Sequence, residues 1–496
     1  MSAYWLGIDI GTGGSRALLV DETGRIAAAR TAVHEDMTMP RPLWAEQRPE
    51  NWWDACQEAI RGVLADAGVS GSAVRGVSLS GQMHGLVILD ADLAVIRPSL
   101  IWCDQRSQPQ VDAIHSKMGR DRVVQLTANP AITGFTLPKL LWVREHQPEL
   151  YARLRTVLLP KDYVRYKLSG ELAQDVSDAS GTGVFDVVNR KWSRPMMEDL
   201  GLDTAFFPPV YESAEICGRV TREAAEATGL AAGTPMVAGA GDQAASGVGN
   251  GIVESGIASC TLGTSGVVFA HMNHPAYDPQ GRVHTFCHAV PDKWHVMGVT
   301  QSAGLSLQWF RNTLAPGMAY DELMAEAANV EAGSDGLYWL PYLMGERTPH
   351  LDASARGGWI GLTARHQRGH LIRSIIEGVS YSQKDCLDLI LDLDVDISRV
   401  RASGGGAKSA LWRQTLADVF TRRVATLESQ EGSAYGAALL GMVGTGAFQN
   451  VASACKACIR ETSSVDPRPH ESVRYARRHE IYRTLYPTLR ATFRLL

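Results

Sequence analysis

The sequence predicts an α/β fold in which two duplicated halves, each layering helices on a sheet, face one another across a central cleft. Three observations carry this. A strand–turn–strand unit opens the chain, the same unit recurs roughly half a chain length later, and amphipathic helical stretches fill the intervals. In the first unit, residues 5–10 read as a strand, Gly11-Thr12-Gly13-Gly14 as a tight turn and residues 15–20 as the returning strand, closed by a turn at Gly24. In the second, residues 258–262 run into Gly263-Thr264-Ser265-Gly266, and residues 267–270 follow. Over 50–65, Trp53, Cys56, Ile60, Val63 and Leu64 fall at helical spacing, and 371–390 is a second long amphipathic stretch. The division falls near residue 253, in the glycine-rich stretch from Gly247 to Gly256, giving an N-terminal domain over 1–253 and a C-terminal domain over 254–496. No low-complexity linker separates them, so the halves are expected to pack directly and move as rigid bodies.

Composition narrows the class. A length of 496 residues suits about three ordinary domains or two large ones. Hydrophobic residues make up 45% and charged residues 20%, which argues against disorder and against a fibre. Lys and Arg number 48 against 53 Asp and Glu, for a net charge of −5, so there is no general pull towards nucleic acid or anionic lipid. No apolar run approaches the ~20 residues that span a bilayer. Asp9 stands where the apolar core of a signal peptide would be. A cytoplasmic location is the expectation. The cysteines at 56, 103, 217, 260, 287, 386, 455 and 458 are scattered, and the Cys455/Cys458 pair lacks the second pair that a zinc site needs.

The chemistry starts from the glycine turns. A turn of Gly and Thr between strands offers backbone N–H groups and a hydroxyl to one anion, and two such turns can hold one polyphosphate from both sides. A single Gly-Thr-Gly-Gly is equally a plain hairpin turn; the repeat is what favours phosphate. Asp9, ending the first strand, would repel a phosphate unless a divalent cation stood between them, which points to a Mg²⁺-nucleotide held directly or through waters by Asp9. Arg16 can reach the phosphates as a bidentate donor or form a salt bridge. Asp242 reads both as the N-cap of a helix over 243–248 and as a carboxylate that accepts the proton of an attacking hydroxyl. Competing motifs fail. Ala407-Lys408-Ser409 is the nearest approach to a Walker loop, and the protein-kinase catalytic loop is missing. Gly239-x-Gly241-x-x-Ala244 fits a dinucleotide fingerprint by letter, but Asp242 sits where the pyrophosphate would bind and no acidic residue follows at the ribose position.

In this order and spacing the motifs resemble those of the FGGY carbohydrate kinases, of the actin/sugar-kinase/Hsp70 fold with its ribonuclease H-like domains. Gly7-Ile8-Asp9-Ile10-Gly11-Thr12 is similar to the family's first phosphate loop, Gly241-Asp242-Gln243 to its catalytic-aspartate segment, and Leu262-Gly263-Thr264-Ser265-Gly266 to its second phosphate loop. The run from Ser403 to Ser409 resembles its adenosine loop, and the two signature segments match Gly134 to Trp142 and Gly358 to Glu377. The resemblance implies ATP and Mg²⁺, with Asp242 catalytic. Phosphates would lie between Gly11, Thr12 and Gly13 on one side and Gly263 and Thr264 on the other, and adenosine near Gly404, Gly405, Gly406 and Lys408.

The acceptor rests on Ser80-Gly81-Gln82-Met83-His84-Gly85, which closes an apparent strand and is similar to the sugar motif of the family's D-xylulose kinases; glycerol kinases carry a Gln-Arg-Glu run there. A sugar needs neutral donors and acceptors, which Gln82, His84 and Asp242 supply beside an apolar wall from Met83. Asp104, in Trp102-Cys103-Asp104, is a further expected sugar contact, although Cys103 replaces the Asn common in relatives. The reaction implied is transfer of the γ-phosphate of ATP to the 5-hydroxyl of D-xylulose. D-ribulose, a pentitol or another ketose stays open, because a stereocentre changes one or two hydrogen bonds rather than a motif. A homodimer is a family-level expectation. The rival from another class is an actin-like or chaperone-like ATPase acting on a protein partner; the polar Gln82–His84 segment and the lack of a peptide-binding domain after the repeat speak against it. His284, Cys287 and His288 lack a further metal ligand, and Leu340 to Pro349 reads as structural. The stretch 474–494 interleaves six arginines with aromatics at three- to four-residue spacing, which reads as one face packed on the domain and not as a nucleic-acid helix.

Overall fold

The computed structural model describes residues 3–429 and 431–496. Its core is two seven-stranded mixed sheets, one from each half of the chain. The first contains β1 (Tyr4–Ile10), β2 (Gly14–Asp21), β3 (Ile26–Val33), β4 (Val74–Gly81), β5 (Ile216–Arg219), β6 (Pro235–Val237) and β7 (Ala240–Gly241). They lie in the order β5-β6-β4-β1-β2-β3, with β7 paired to the end of β4. The second contains β8 (Gly256–Leu262), β9 (Gly266–Met272), β10 (His284–Cys287), β11 (Trp294–Thr300), β12 (Ile397–Ser403), β13 (Arg423–Leu427) and β14 (Glu461–Val465), in the order β10-β11-β9-β8-β12-β13-β14. Each sheet is organised around its glycine-turn hairpin. Ile10 lies opposite Ser15 across the first turn, and Leu262 opposite Gly266 across the second. Each leading strand then pairs in parallel with a strand arriving by a long crossover, β4 for β1 and β12 for β8. The duplication expected from the glycine turns is present in the hydrogen-bond ladders.

The apolar runs of β1 and β4 are buried on both faces, as strands covered on both sides require. One cover is α1 (Pro49–Ala67), whose Trp52, Cys56, Ile60 and Val63 face β2 and β3; it starts with Pro in its first turn and ends at Gly68 in the left-handed region. The other cover comes from far along the chain. Beside α2 (Asp242–Gly249) and after α3 (Arg368–Leu391) lies α4 (Gly432–Gly444), which falls between β13 and β14 of the second sheet in sequence yet packs on β1 and β4 of the first. Trp5, Leu18, Val20 and Val237 meet Tyr435, Ala438 and Leu439 in one apolar cluster. The core of the first half is therefore completed by residues from the second.

Helices α2 and α4 cross with their backbones nearly in contact. A Cβ at Gly436 would fall on the carbonyl oxygen of Ala245, and one at Gly249 on that of Gly432. A second shared cluster joins Met83 and Phe135 to Ile257, Phe269, Phe286 and Met297, so the halves pack directly. In the second half, α3 covers β9 and β11, and α5 (Pro469–Phe493) buries Tyr475, His479, Tyr482, Tyr486 and Phe493 against the domain. That is the packed face its sequence pattern anticipates. Among the described residues no helix is long and apolar enough to cross a membrane, and the eight cysteines are free.

Gly436→Ala tests the helix crossing by the sign of its effect. An Ala in an open helix position would add up to about 1 kcal/mol of stability, whereas overpacking against backbone costs about 1–3 kcal/mol. Urea unfolding is expected to show the loss; a gain would show that the two backbones are not in contact.

Candidate active site

The two glycine turns present the same feature. In the first, the Thr12 carbonyl accepts from Gln47 Nε2 at 2.7 Å and the Gly13 carbonyl from the His34 amide at 3.0 Å, while the Gly11 amide closes on Gly14. With carbonyls tied back, the amides of Thr12 and Gly13 donate to no acceptor among the described residues. In the second, the Gly263 carbonyl accepts from Gly304 at 2.7 Å and the Thr264 carbonyl from Ala303 at 3.0 Å, leaving the amides of Thr264 and Ser265 equally unused. Two sets of free N–H groups are what a polyphosphate requires. A third glycine segment adjoins the second turn. Gly404 has φ +83 and approaches the Leu262 carbonyl so closely that a Cβ would lie at 2.6 Å, which only glycine tolerates. A cavity of about 490 Å³ opens here, lined by Gly263, Thr264, Gly405, Gly406, Lys408 and Trp412. Of the expected phosphate and adenosine residues of the second half, all but Gly404 line this one cavity.

Asp9 and Arg16 are cross-strand partners on β1 and β2, so they share a face. They line a second cavity, of about 330 Å³, with Thr261, Ser403 and Gly404 from the second half and the start of α4. Arg16 is not free there. Its guanidinium forms a bidentate pair with Glu431, at 2.5 and 2.6 Å, and donates to Thr31 at 2.7 Å. The salt bridge weighed for Arg16 is thus formed, and it spans the two halves. Asp9 is the reverse case. Burial raises its carboxyl above the usual range, and its Oδ1 is buried without a partner.

Asp242 opens α2 as its first helical residue, with Gly241 in the capping position. The cap expected at Asp242 is displaced by one residue because β7 extends through Gly241 to pair with Gly81. A carboxylate in the first turn still suits the helix dipole. Burial first, then the neighbouring charge of Asp9, pushes the Asp242 carboxyl up to about 7. The Gly241 amide donates to Ser177 Oγ at 3.1 Å, and Ser177 Oγ donates to Asp175 at 2.5 Å. Asp175 belongs to a fully buried ionic cluster: Lys161 lies 2.5 Å from Asp162, 2.6 Å from Asp175 and 3.3 Å from Asp178, and Arg165 pairs with Asp162. This cluster fixes the backbone that carries Asp242.

Residues 82–84 follow β4 and turn into the interface between the halves. Met83 packs on Gly241, where a Cβ would meet its Cγ at 2.9 Å, so Met83 and Asp242 share a wall. His84 adopts φ +70, a left-handed conformation uncommon outside glycine. Its carbonyl accepts from Lys139 Nζ at 3.0 Å and Thr136 Oγ1 at 3.2 Å. Its ring Nδ1 donates to the Gly181 carbonyl at 2.8 Å, and the ring packs on Phe135. Burial, then the charge of Lys139, holds the imidazole well below its ordinary range, so the ring is neutral and Nε2 remains an acceptor.

Two expected sugar contacts are spent elsewhere. Gln82 donates to Gln47 Oε1 at 2.9 Å and faces Gly11 and Thr12, so it braces the phosphate turn. Asp104 is fully buried, accepting from the Ala45 amide at 2.7 Å and from Arg106 at 2.7 Å, with Arg106 stacked over Trp44. A carboxylate with both oxygens committed in the core does not reach a ligand. The motif supplied a carboxylate of the right type, and only the long-range position of Ala45 and Arg106 shows its use. Sequence reasoning also missed Glu431, the cluster around Lys161, and Trp102, whose indole donates to Thr12 Oγ1 at 3.0 Å and which is 41% exposed. Lys161 and Arg165 carry a faint signal, as cations in a helix whose neighbours Val164 and Leu168 are apolar.

Residues 4–249 match the model of the FGGY family of carbohydrate kinases, N-terminal domain, and residues 258–445 that of its C-terminal domain. A xylulose kinase of Bacillus subtilis (strain 168) is 37% identical over 97% of this chain and 96% of its own length. One from Escherichia coli (strain K12) is 38% identical over 98% and 99%. The crystal structure of a xylulose kinase from Rhodospirillum rubrum superposes with a TM-score of 0.93 at 30% identity, covering 99% of this chain and all of the other.

Side-chain ¹³C NMR of aspartate-labelled protein is expected to show Asp242 titrating at about 7, protonated below and ionised above. Asp9→Asn removes one of the two causes, so the inflection should fall towards the ordinary value of about 4. A native inflection already near that value would exclude Asp242 as a group poised at neutral pH.

Proposed function

The chain belongs to the FGGY family of carbohydrate kinases and is an ATP-dependent carbohydrate kinase, and from that premise we propose that it phosphorylates D-xylulose at the 5-hydroxyl. The observation that carries the sugar is the likeness to xylulose kinases along nearly the whole chain, with Met83 packed on Gly241, next to Asp242, and His84 following Met83 in the chain. In this reading the chain divides near residue 253 into a sugar half and a nucleotide half.

The sugar lies against Met83, with a hydroxyl donating to the neutral His84 ring at Nε2. Adenosine occupies the cavity lined by Gly405, Gly406, Lys408 and Trp412, and the phosphates meet the free amides at Thr12 and Thr264. Asp242, ionised above about pH 7, accepts the proton of the 5-hydroxyl as its oxygen bonds to the γ-phosphorus; the bond from that phosphorus to the bridging oxygen breaks and ADP leaves. The unpartnered oxygen of Asp9 and its repulsion with Asp242 fit a divalent cation bound through one or two carboxylates, waters and phosphate. Bound Mg²⁺ supplies neutralisation of the polyphosphate charge. Water exclusion falls to the apolar wall of Met83, Phe135 and Phe286, whose residues come from both halves.

Coupled ADP release with MgATP is the test, across D-xylulose, D-ribulose, L-ribulose, xylitol, glycerol and D-gluconate. The expected outcome is a kcat/KM preference for D-xylulose of about tenfold or more, some 1.4 kcal/mol of transition-state discrimination. Asp242→Asn should abolish transfer and keep ATP binding, and His84→Ala should chiefly raise the sugar KM. Preference for another member moves the substrate, and no sugar-dependent release from any of them removes the reading.

A further inference from the structure

We propose that Arg347 is the second half's contact with the sugar: its guanidinium donates to ketose oxygens at the end away from the transferred hydroxyl. The inference rests on the substrate reading above and adds a residue to that site.

The backbone around Arg347 is fixed on both sides. Glu346 exchanges hydrogen bonds with Asp352, at 2.9 Å each way, and Thr348 donates from its amide to the Val299 carbonyl at 3.0 Å while its hydroxyl donates to the Arg282 carbonyl at 2.7 Å. From this anchor on β11 the side chain crosses to the first half. Its Nη2 lies 3.8 Å from where a Cβ at Gly134 would stand, next to Phe135, and its charge acts on both His84 and His284. The residues it approaches are those that shape the sugar pocket.

The guanidinium has no mate. Among the described residues it enters no side-chain hydrogen bond, ion pair or stacking contact, although it is half-buried. Glu346, its neighbour in sequence, does not serve. That carboxylate accepts the amides of Gln301 and Arg347 at 2.8 Å each, and burial pushes it up to about 8, so it is largely protonated at neutral pH. Lys139, the other cation nearby, is already committed to the carbonyls of His84 and Gly134. A cation withdrawn from water without a partner is costly until a ligand satisfies it.

The chemistry of that ligand follows from the donor. A guanidinium carries five N–H donors and no acceptor, so it seeks acceptor oxygens. An open-chain ketose offers hydroxyl lone pairs and a carbonyl oxygen. The order along the pocket sets which end. Arg347 stands by Gly134, next to the Phe135 ring that packs on His84, whereas Met83, the residue before His84, packs on Gly241, next to Asp242. The phosphoryl-transfer end is therefore at Asp242, and Arg347 is at the other. Because the residue comes from the nucleotide half, the sugar's binding energy becomes available for bringing the halves together.

Steady-state kinetics of Arg347→Met decide it. The D-xylulose KM is expected to rise about tenfold or more, with the ATP KM within about twofold. Added guanidinium chloride should lower the sugar KM of the variant and not that of the native enzyme. Arg347→Lys should fall between, and it decides the same split if the Met variant melts early. An unchanged sugar KM, an equal loss of ATP affinity, or an effect confined to D-gluconate would each overturn the proposal. Failure of the substrate reading is separable, because it appears as a native enzyme without sugar-dependent ADP release.

Discussion

The contact on which the rest of the molecule depends is made by two helices with almost no side chains between them. Gly249 and Gly436 let α2 and α4 cross at backbone distance, and that crossing seats α4 on β1 and β4. Three consequences converge on the cleft. Helix α2 begins with Asp242, α4 begins at the wall of the cavity that holds Asp9, and Glu431 just before it meets Arg16. The same packing that joins the halves also sets the positions of the reacting groups, so a methyl group in the wrong place would be felt at the site.

The site is electrostatically unfinished in itself. Asp9 and Asp242 are both buried, which raises the cost of ionising each, and the charge of Asp9 adds to that cost at Asp242. Around them the chain spends its polar groups on rigidity: Gln82 and Gln47 on the first turn, the Lys161 cluster on Gly241, Lys139 on the carbonyls of His84 and Gly134. Among the described residues, the groups left uncommitted include the turn amides, the Asp9 oxygen, the His84 nitrogen and Arg347. Those remaining groups define what the cleft can hold.

Local features were legible in the sequence, and their uses often were not. The hairpins could be read because glycine at a turn has a short-range cause, and the helix over Pro49–Ala67 because its apolar spacing is local. Asp242 needed only its position before a helix. Asp104 and Gln82 were read as ligands from their type and motif, but Ala45, Arg106 and Gln47 claim them from elsewhere in the chain. Arg16 is claimed by Glu431, more than 400 positions away. The placement of α4 on the first sheet was equally hidden, since its all-round apolar pattern says that it is buried and not against what.

That placement also bears on how the chain is made. The first sheet is complete once Gly241 has been synthesised, yet the helix that covers the outer side of Trp5, Leu18, Val20 and Val237 ends only at Gly444. At ribosomal rates of about 5–20 residues per second, that apolar face stays bare for roughly 10–40 s. Sheet strands fold far faster than this. The first half is thus synthesised well before the helix that completes its core.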